Sequence, residues 1–420
     1  MAPRQARSRG WLGAALVLVL GACSAGGAAA PGSPATPRPT PDAPPTAAQA
    51  SPGHAPPLST IALGRLARHG PESGTWVGLN IDWGAETVAD VTRRLGSPPA
   101  AVVSFVSFPL SPADTANLDA AAAQARDAGA VLVVTLEPWG GLAAATTEAA
   151  CELARRLAGY GTDGVPAIVR FAHEMNGSWY PWGQDPVAYV AAFRRVADAV
   201  HGLASTAATL WAPNQGAGYP YAGGEYEARP DGPAARALDT DGDGSVDEDD
   251  DPYAPYWPGG GFVDWVGMSL YHWGTAYPWG ENEVPAAGSL DAMITGSPAV
   301  GGDSSPDFHA DYAERYGKPL AIVETAAFFR PDGGGAEEQA IKSAWLDQVF
   351  AADARSRYPL LRLVNWFEWR KHEAEVGAVV DWRITADPAL RDLFLASMAN
   401  GFRLGPAVPP EDPGPGGQVP

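Results

Sequence analysis

Eight short apolar runs, separated by stretches of helical pattern, set the first limit on what this chain can fold into. They span residues 76–83, 101–108, 131–139, 167–172, 209–213, 263–271, 320–324 and 361–367. Most are continuously apolar rather than alternating, the pattern of parallel strands covered on their outer face by helices. Helical patterns lie between them at 114–128, 146–157, 186–201, 307–316 and 337–352. Some open on capping signals, such as Ser111-Pro112-Ala113-Asp114 and Asp185-Pro186. Strand alternating with helix eight times predicts an α/β chain closed into a (β/α)8 TIM barrel with long βα loops. An open doubly wound sheet is the competing fold. It usually carries a Gly-rich phosphate loop after its first strand, and none stands there.

The chain ends read differently from the barrel. Arg4, Arg7 and Arg9 precede an apolar run from Trp11 to Leu20, the shape of a secretory signal. The run is about half the roughly 20 residues a membrane-spanning helix needs. Leu20-Gly21-Ala22-Cys23 is similar to a bacterial lipobox, which implies removal of residues 1–22 and lipidation of Cys23. An ordinary signal peptide that happens to contain a cysteine is the alternative. Residues 23–58 are rich in Pro, Ala, Ser and Thr and read as an extended tether, too poor in apolar surface to offset ordering. Residues 405–420, rich in Pro and Gly, read as a disordered tail. The folded domain is therefore expected over 59–404, in a secreted lipoprotein held at the bacterial envelope. With Cys23 set aside for lipid, Cys151 is expected to be a small buried residue without a disulfide partner. A net charge of −20 argues against nucleic acid or anionic lipid as a partner. No coiled-coil signal appears, so a monomer is the default expectation.

In a barrel, chemistry sits on the loops after the strand C-termini. Here those ends carry Asn80-Ile81-Asp82-Trp83, Glu137-Pro138-Trp139, His173-Glu174, Trp211-Ala212-Pro213-Asn214, Tyr271-His272-Trp273, Glu324-Thr325 and Asn365-Trp366-Phe367-Glu368-Trp369. Carboxylates, amides and aromatic rings on one face suit a sugar. Rings stack on its apolar faces, and polar groups bind its hydroxyls. Glu174 and Glu324 close the fourth and seventh runs, and their tips can face each other across the barrel mouth. Retaining glycosidases need two carboxyl groups about 5–5.5 Å apart. Glu137 has two open readings, binding substrate or bracing Arg170. Lone histidines such as His272 and His309 read as surface or packing residues. No zinc-type Cys/His spacing and no nucleophile elbow is present, so no cofactor is expected for catalysis.

The stretch Arg170-Phe171-Ala172-His173-Glu174-Met175-Asn176-Gly177-Ser178-Trp179-Tyr180-Pro181-Trp182-Gly183 resembles the acid/base motif of glycoside hydrolase family 26. Lys318-Pro319-Leu320-Ala321-Ile322-Val323-Glu324-Thr325 resembles its nucleophile motif. The family holds β-mannanases, mixed-linkage β-glucanases and β-1,3-xylanases. The resemblance implies a retaining, endo-acting β-glycan hydrolase with a polysaccharide substrate, foremost an endo-β-1,4-mannanase. It implies Glu174 as acid/base and Glu324 as nucleophile. His173 would bond near the −1 sugar, Trp179 would form part of the sugar-binding wall, Tyr271 would hold the nucleophile, and Trp366 would be the platform under the −1 sugar. Trp139 and Asn214 are further candidate substrate contacts at their strand ends. A reading from another class is a catalytically weak glycan-binding lipoprotein that handles exopolysaccharide.

One acidic loop stands apart. Residues 239–250 follow the spacing of an EF-hand calcium loop, with Asp239, Asp241, Asp243 and Asp247 at positions 1, 3, 5 and 9 and Gly244 at the sharp turn. Ser245 would offer its carbonyl, and Asp250 stands where a Glu is usual. A structural Ca2+ is the expectation and a solvated acidic loop the alternative.

Overall fold

The computed structural model describes residues 59–275, 279–298 and 304–409. The signal peptide, Cys23, the tether and the tail from residue 410 lie outside the described residues. Eight parallel strands form the barrel: β1 Thr75–Ile81, β2 Ala101–Ser107, β3 Val131–Glu137, β4 Ala167–Phe171, β5 Ala207–Trp211, β6 Trp265–His272, β7 Leu320–Ala327 and β8 Leu361–Glu368. Each pairs with the next, and β1 pairs with β8 from Trp76↔Leu363 to Ile81↔Glu368, which closes the ring. Strand and helix alternate around it, so the fold is the (β/α)8 TIM barrel. After β8 the chain forms an antiparallel hairpin, β9 Arg370–Glu373 with β10 Ala378–Asp381, and a short β11 Phe402–Arg403 pairs with β1.

Local signals explain the helices. Ser111 caps Pro112–Ala128 in a reciprocal capping box with Asp114, and Asp185 caps Pro186–Leu203, with Pro in the first turn of each. The pattern at 307–316 becomes a π-helical stretch, His309–Glu314.

Leu63, Gly64 and Ala67 of the helix Thr60–His69 are buried, and Trp265 at the start of β6 donates its indole N–H to the Ala67 carbonyl at 2.6 Å. Inside the barrel, Trp76, Val103, Val131, Val133, Ile168, Leu210, Trp265, Val323 and Leu363 form one apolar cluster. At roughly 25 cal/mol per Å² of buried apolar surface, such a cluster is a main source of stability. Residues 405–408, read from composition as tail, bond back to the segments just before β2 and β3: Gly405 N–H to the Pro98 carbonyl at 2.7 Å, and Ala407 and Val408 N–H to the Gly129 carbonyl at 2.9 Å. Their backbone amides find partners where a disordered tail would leave them to water.

Cys151 is buried in the helix Thr147–Thr162, as expected.

Candidate active site

Strand parity aims the site. Side chains alternate between the two faces of a strand, so the residues stacked above the inner cluster are fixed in advance. On β3, Val131 and Val133 lie in that cluster and Glu137 continues their face into a cleft at the barrel mouth. On β6, Trp265 is in the cluster, and Ser269 and Tyr271 follow at even spacing. On β8, Leu363 and Phe367 point inward.

Two local irregularities place the carboxyl pair. The β6–β7 register runs Met268↔Ile322 and then Ser269↔Glu324, so Val323 is an extra residue. This bulge lets Val323 join the inner cluster while Glu324, the next residue, also faces the cleft. Thr325 then turns outward and accepts from the Trp345 indole at 2.9 Å. Glu324 therefore stands within β7 rather than at its end. Beyond β4, Ala172 and Glu174 take positive φ values of 47° and 53°. Left-handed backbone at non-glycine residues is strained and clusters at functional sites. Here it turns the chain so that His173 and Glu174 both line the cleft.

The two glutamates share one hydrogen-bonded frame. Arg170, 1% exposed, bonds through Nη1 to Glu324 Oε1 and donates from Nη2 to Ser269 Oγ at 2.7 Å. The Ser269 hydroxyl in turn hydrogen-bonds Glu174. Tyr271 donates its hydroxyl to Glu324 Oε2 at 2.7 Å, and the Trp179 indole donates to Glu174 Oε2 at 3.0 Å. Burial, followed by the charge of Glu324, raises the pKa of Glu174, against a smaller opposing effect of Arg170. Glu174 is thus biased toward its protonated form, beside a Glu324 carboxylate whose two oxygens are bonded by Arg170 and Tyr271.

The cleft encloses about 890 Å³. Of the expected substrate contacts, His173, Trp179, Tyr271 and Asn214 line it. His173 is buried, with its imidazole pKa driven well down by desolvation and by Arg170, and its Nδ1 has no hydrogen-bond partner among the described residues. The Asn214 backbone is pinned by the Asn176 side chain through bonds of 2.8 and 2.9 Å. Trp139 stands on the rim, 52% exposed, edge-on to Tyr180, with its indole 3.3 Å from Glu137 Oε2.

Trp366 is a correction. It is fully buried, its indole donates to the Trp382 carbonyl at 2.9 Å, and its ring meets Phe394 of the helix Pro388–Ser397. Lying between the inward Asn365 and Phe367, it points to the helix layer. Phe367 and Trp369, stacked at 13°, line the cleft instead, as do Trp273, Trp382, Tyr180 and Tyr221. Period-two counting from Leu363 would have assigned Phe367. Trp382 follows a hairpin that leaves no clear apolar run.

Glu368 also points outward and is buried against Ile384 and Thr385 N–H groups at 2.9 and 2.8 Å. His272 bonds the Glu283 carbonyl and packs on Trp345, and His309 packs on Tyr358, so both are packing residues.

In the acidic loop, oxygens of Asp239, Asp241 and Asp243 come within 4.8 Å of one another, the one such cluster among the described residues. Asp247 and Asp250 are not in that group. The Asp250 carboxylate is turned to backbone instead, accepting from Thr240, Asp241 and Asp247 N–H groups. Asp247 accepts from Asp249 N–H, and Ser245 N–H donates to Asp243.

No protein-family model matches the chain. Endoglucanase H of Acetivibrio thermocellus is 24% identical over 291 residues, covering 65% of this chain and 25% of that protein, so the chain spans about a quarter of its length. Among solved structures, GH26C from Muricauda sp. MAR_2010_75 matches 84% of this chain and 93% of its own, at 15% identity and a TM-score of 0.51. A modular endo-β-1,4-mannanase from Cellulomonas fimi, at 18% identity, matches 83% of this chain and 75% of its own with a TM-score of 0.49. What the chain shares with the Muricauda protein is its fold, the closed barrel.

Proposed function

We propose that this protein is a retaining, endo-acting hydrolase of β-glycans, a member of glycoside hydrolase family 26, with β-1,4-mannan as its substrate. The observation that carries the reading is the carboxyl pair, two glutamates bridged by Arg170 and Ser269 in a cleft walled with aromatic rings. In the first step Glu324 attacks the anomeric carbon while the glycosidic oxygen takes the proton of Glu174. The bond to the leaving sugar breaks and a glycosyl-enzyme forms. In the second, Glu174 removes a proton from water, whose oxygen attacks the same carbon and frees Glu324.

Mixed-linkage β-glucan is the second reading, supported by the sequence likeness to Endoglucanase H. A β-1,3-xylan belongs to the same chemistry. A glycan-binding lipoprotein without turnover is disfavoured, because binding alone needs no bridged acid and nucleophile. Reducing-end release from mannan, glucomannan, lichenan and xylan separates these. Wild type should be active on at least one, and Glu174→Ala and Glu324→Ala should lose that activity. Equal activity in all three proteins would refute the site.

We also propose a structural Ca2+ on the acidic loop. The hard carboxylate oxygens of Asp239, Asp241 and Asp243 suit that ion, and binding would relieve their mutual repulsion. A chelator should lower Tm; an unchanged Tm would dismiss the ion. A lipid on Cys23 would hold the enzyme at the envelope and bring it to polymer outside the cell. Wild type should then partition into detergent and Cys23→Ala should not, whereas equal partitioning would exclude the anchor.

A further inference from the structure

The sequence leaves Glu137 two roles, and the hydrogen bonds decide between them. A brace for Arg170 would show a carboxylate bonded to that guanidinium. The Arg170 Nη atoms bond Glu324 and Ser269, and among the described residues its Nε has no partner and its one ion pair is with Glu324. Glu137 instead ends β3 on the inward face and lines the cleft with Glu174 and Glu324. Its Oε2 accepts from the rim indole of Trp139, and that is the single hydrogen bond of its carboxyl group among the described residues. The group is half-buried, so it remains open to the cleft. A carboxyl group tethered on one side and open on the other is poised to take a ligand hydroxyl.

We propose that Glu137 determines specificity by hydrogen-bonding a hydroxyl of the sugar unit that lies beside the catalytic pair, with Trp139 fixing its orientation. The inference rests on the glycan-hydrolase reading above. A neutral sugar fits, because its hydroxyl donates to a carboxylate and accepts from a carboxylic acid. The charged form is the better partner, since charge-assisted hydrogen bonds are about twice as strong as neutral ones.

The charges facing Glu137 are those of Asp114 from the helix Pro112–Ala128, Arg170 from β4 and Glu324 from β7, with the Tyr180 phenol also nearby. Desolvation outweighs them, and with the charge of Glu324 it lifts Glu137 to about 7 against the opposing pull of Trp139 and Arg170. Near neutral pH the residue therefore changes form while substrate binds. As pH rises through about 7, the stronger acceptor accumulates and KM should fall.

The test compares wild type, Glu137→Gln and Glu137→Ala on oligosaccharides of the polymer that wild type cleaves, with kcat and KM measured on either side of neutral pH. Glu137→Ala should raise KM about tenfold, more than it lowers kcat. Glu137→Gln, which keeps hydrogen-bonding capacity but cannot ionise, should recover part of that loss and show a KM that no longer changes through neutrality. A Glu137→Gln KM that follows the wild-type pH profile would overturn the proposal. So would a Glu137→Ala protein whose kcat and Tm fall together while KM holds, the mark of a brace. In both cases an active wild type leaves the glycosidase reading standing. A wild type that cleaves no β-glycan removes that reading, and this inference with it.

Discussion

Replacing Tyr271 with Phe removes one hydroxyl and leaves the ring in its pocket, edge-on to Trp382 at 5.3 Å and to Phe367 at 5.9 Å. What is lost is the 2.7 Å bond to Glu324 Oε2. The other oxygen keeps Arg170, so the carboxylate stays in place but is held on one side only. A hydrogen bond to a charged group contributes about 1.5–3 kcal/mol. Glu324 is 7% exposed, so water replaces the lost donor poorly and the upper half of that range applies. Roughly 2–3 kcal/mol corresponds to about a 30- to 150-fold fall in kcat/KM. The assay is steady-state hydrolysis of the best substrate, with Tm recorded in parallel. Tm should move little, because ring packing survives. A kcat/KM within threefold of wild type would show that Tyr271 does not support the reacting carboxylate.

Three further outcomes follow from the same geometry. The Trp179 indole lowers the Glu174 pKa that burial and Glu324 raise, and the acid must be protonated to work, so activity is lost as pH climbs through that raised value. Trp179→Phe should move the alkaline limb of the kcat/KM profile to higher pH, and an unmoved or lowered limb would refute the role of the indole. Trp366→Phe should lower Tm by several degrees at unchanged KM, because its bond is to the Trp382 carbonyl in the core; a KM effect without a stability effect would restore it as a sugar platform. Trp369→Ala should do the reverse, raising KM about three- to tenfold, the size expected of one lost stacking contact.

How far the sequence reaches can be read from these residues. The barrel was legible because eight apolar runs alternate with capped helices, and parallel strands cannot hide that rhythm. The run ends also located the chemistry. The errors arise where pattern carries no information. The segment Leu320-Ala321-Ile322-Val323-Glu324 is apolar up to its last residue, so nothing marks Val323 as a bulge. Trp366 and Trp369 are both tryptophans near a strand end, and only parity separates the packed one from the one in the cleft. The hairpin Arg370–Asp381 is polar and short, and its contribution to the cleft through Lys371, Glu373 and the following Trp382 comes from tertiary folding alone. Arg170 was visible inside the motif, but its bond to Glu324 spans two strands that only barrel closure brings together.

In the proposed reaction Glu324 becomes covalently attached to sugar while Glu174 transfers the proton. An activated aryl β-glycoside needs little acid assistance in the first step, so Glu174→Ala should still form the glycosyl-enzyme and then stall. Peptide mass mapping of that stalled protein locates the attached sugar. One added sugar is expected on the peptide that contains Glu324. A sugar on the peptide that holds Glu137 or Glu368, or a burst of aryl alcohol with no adduct, would contradict it.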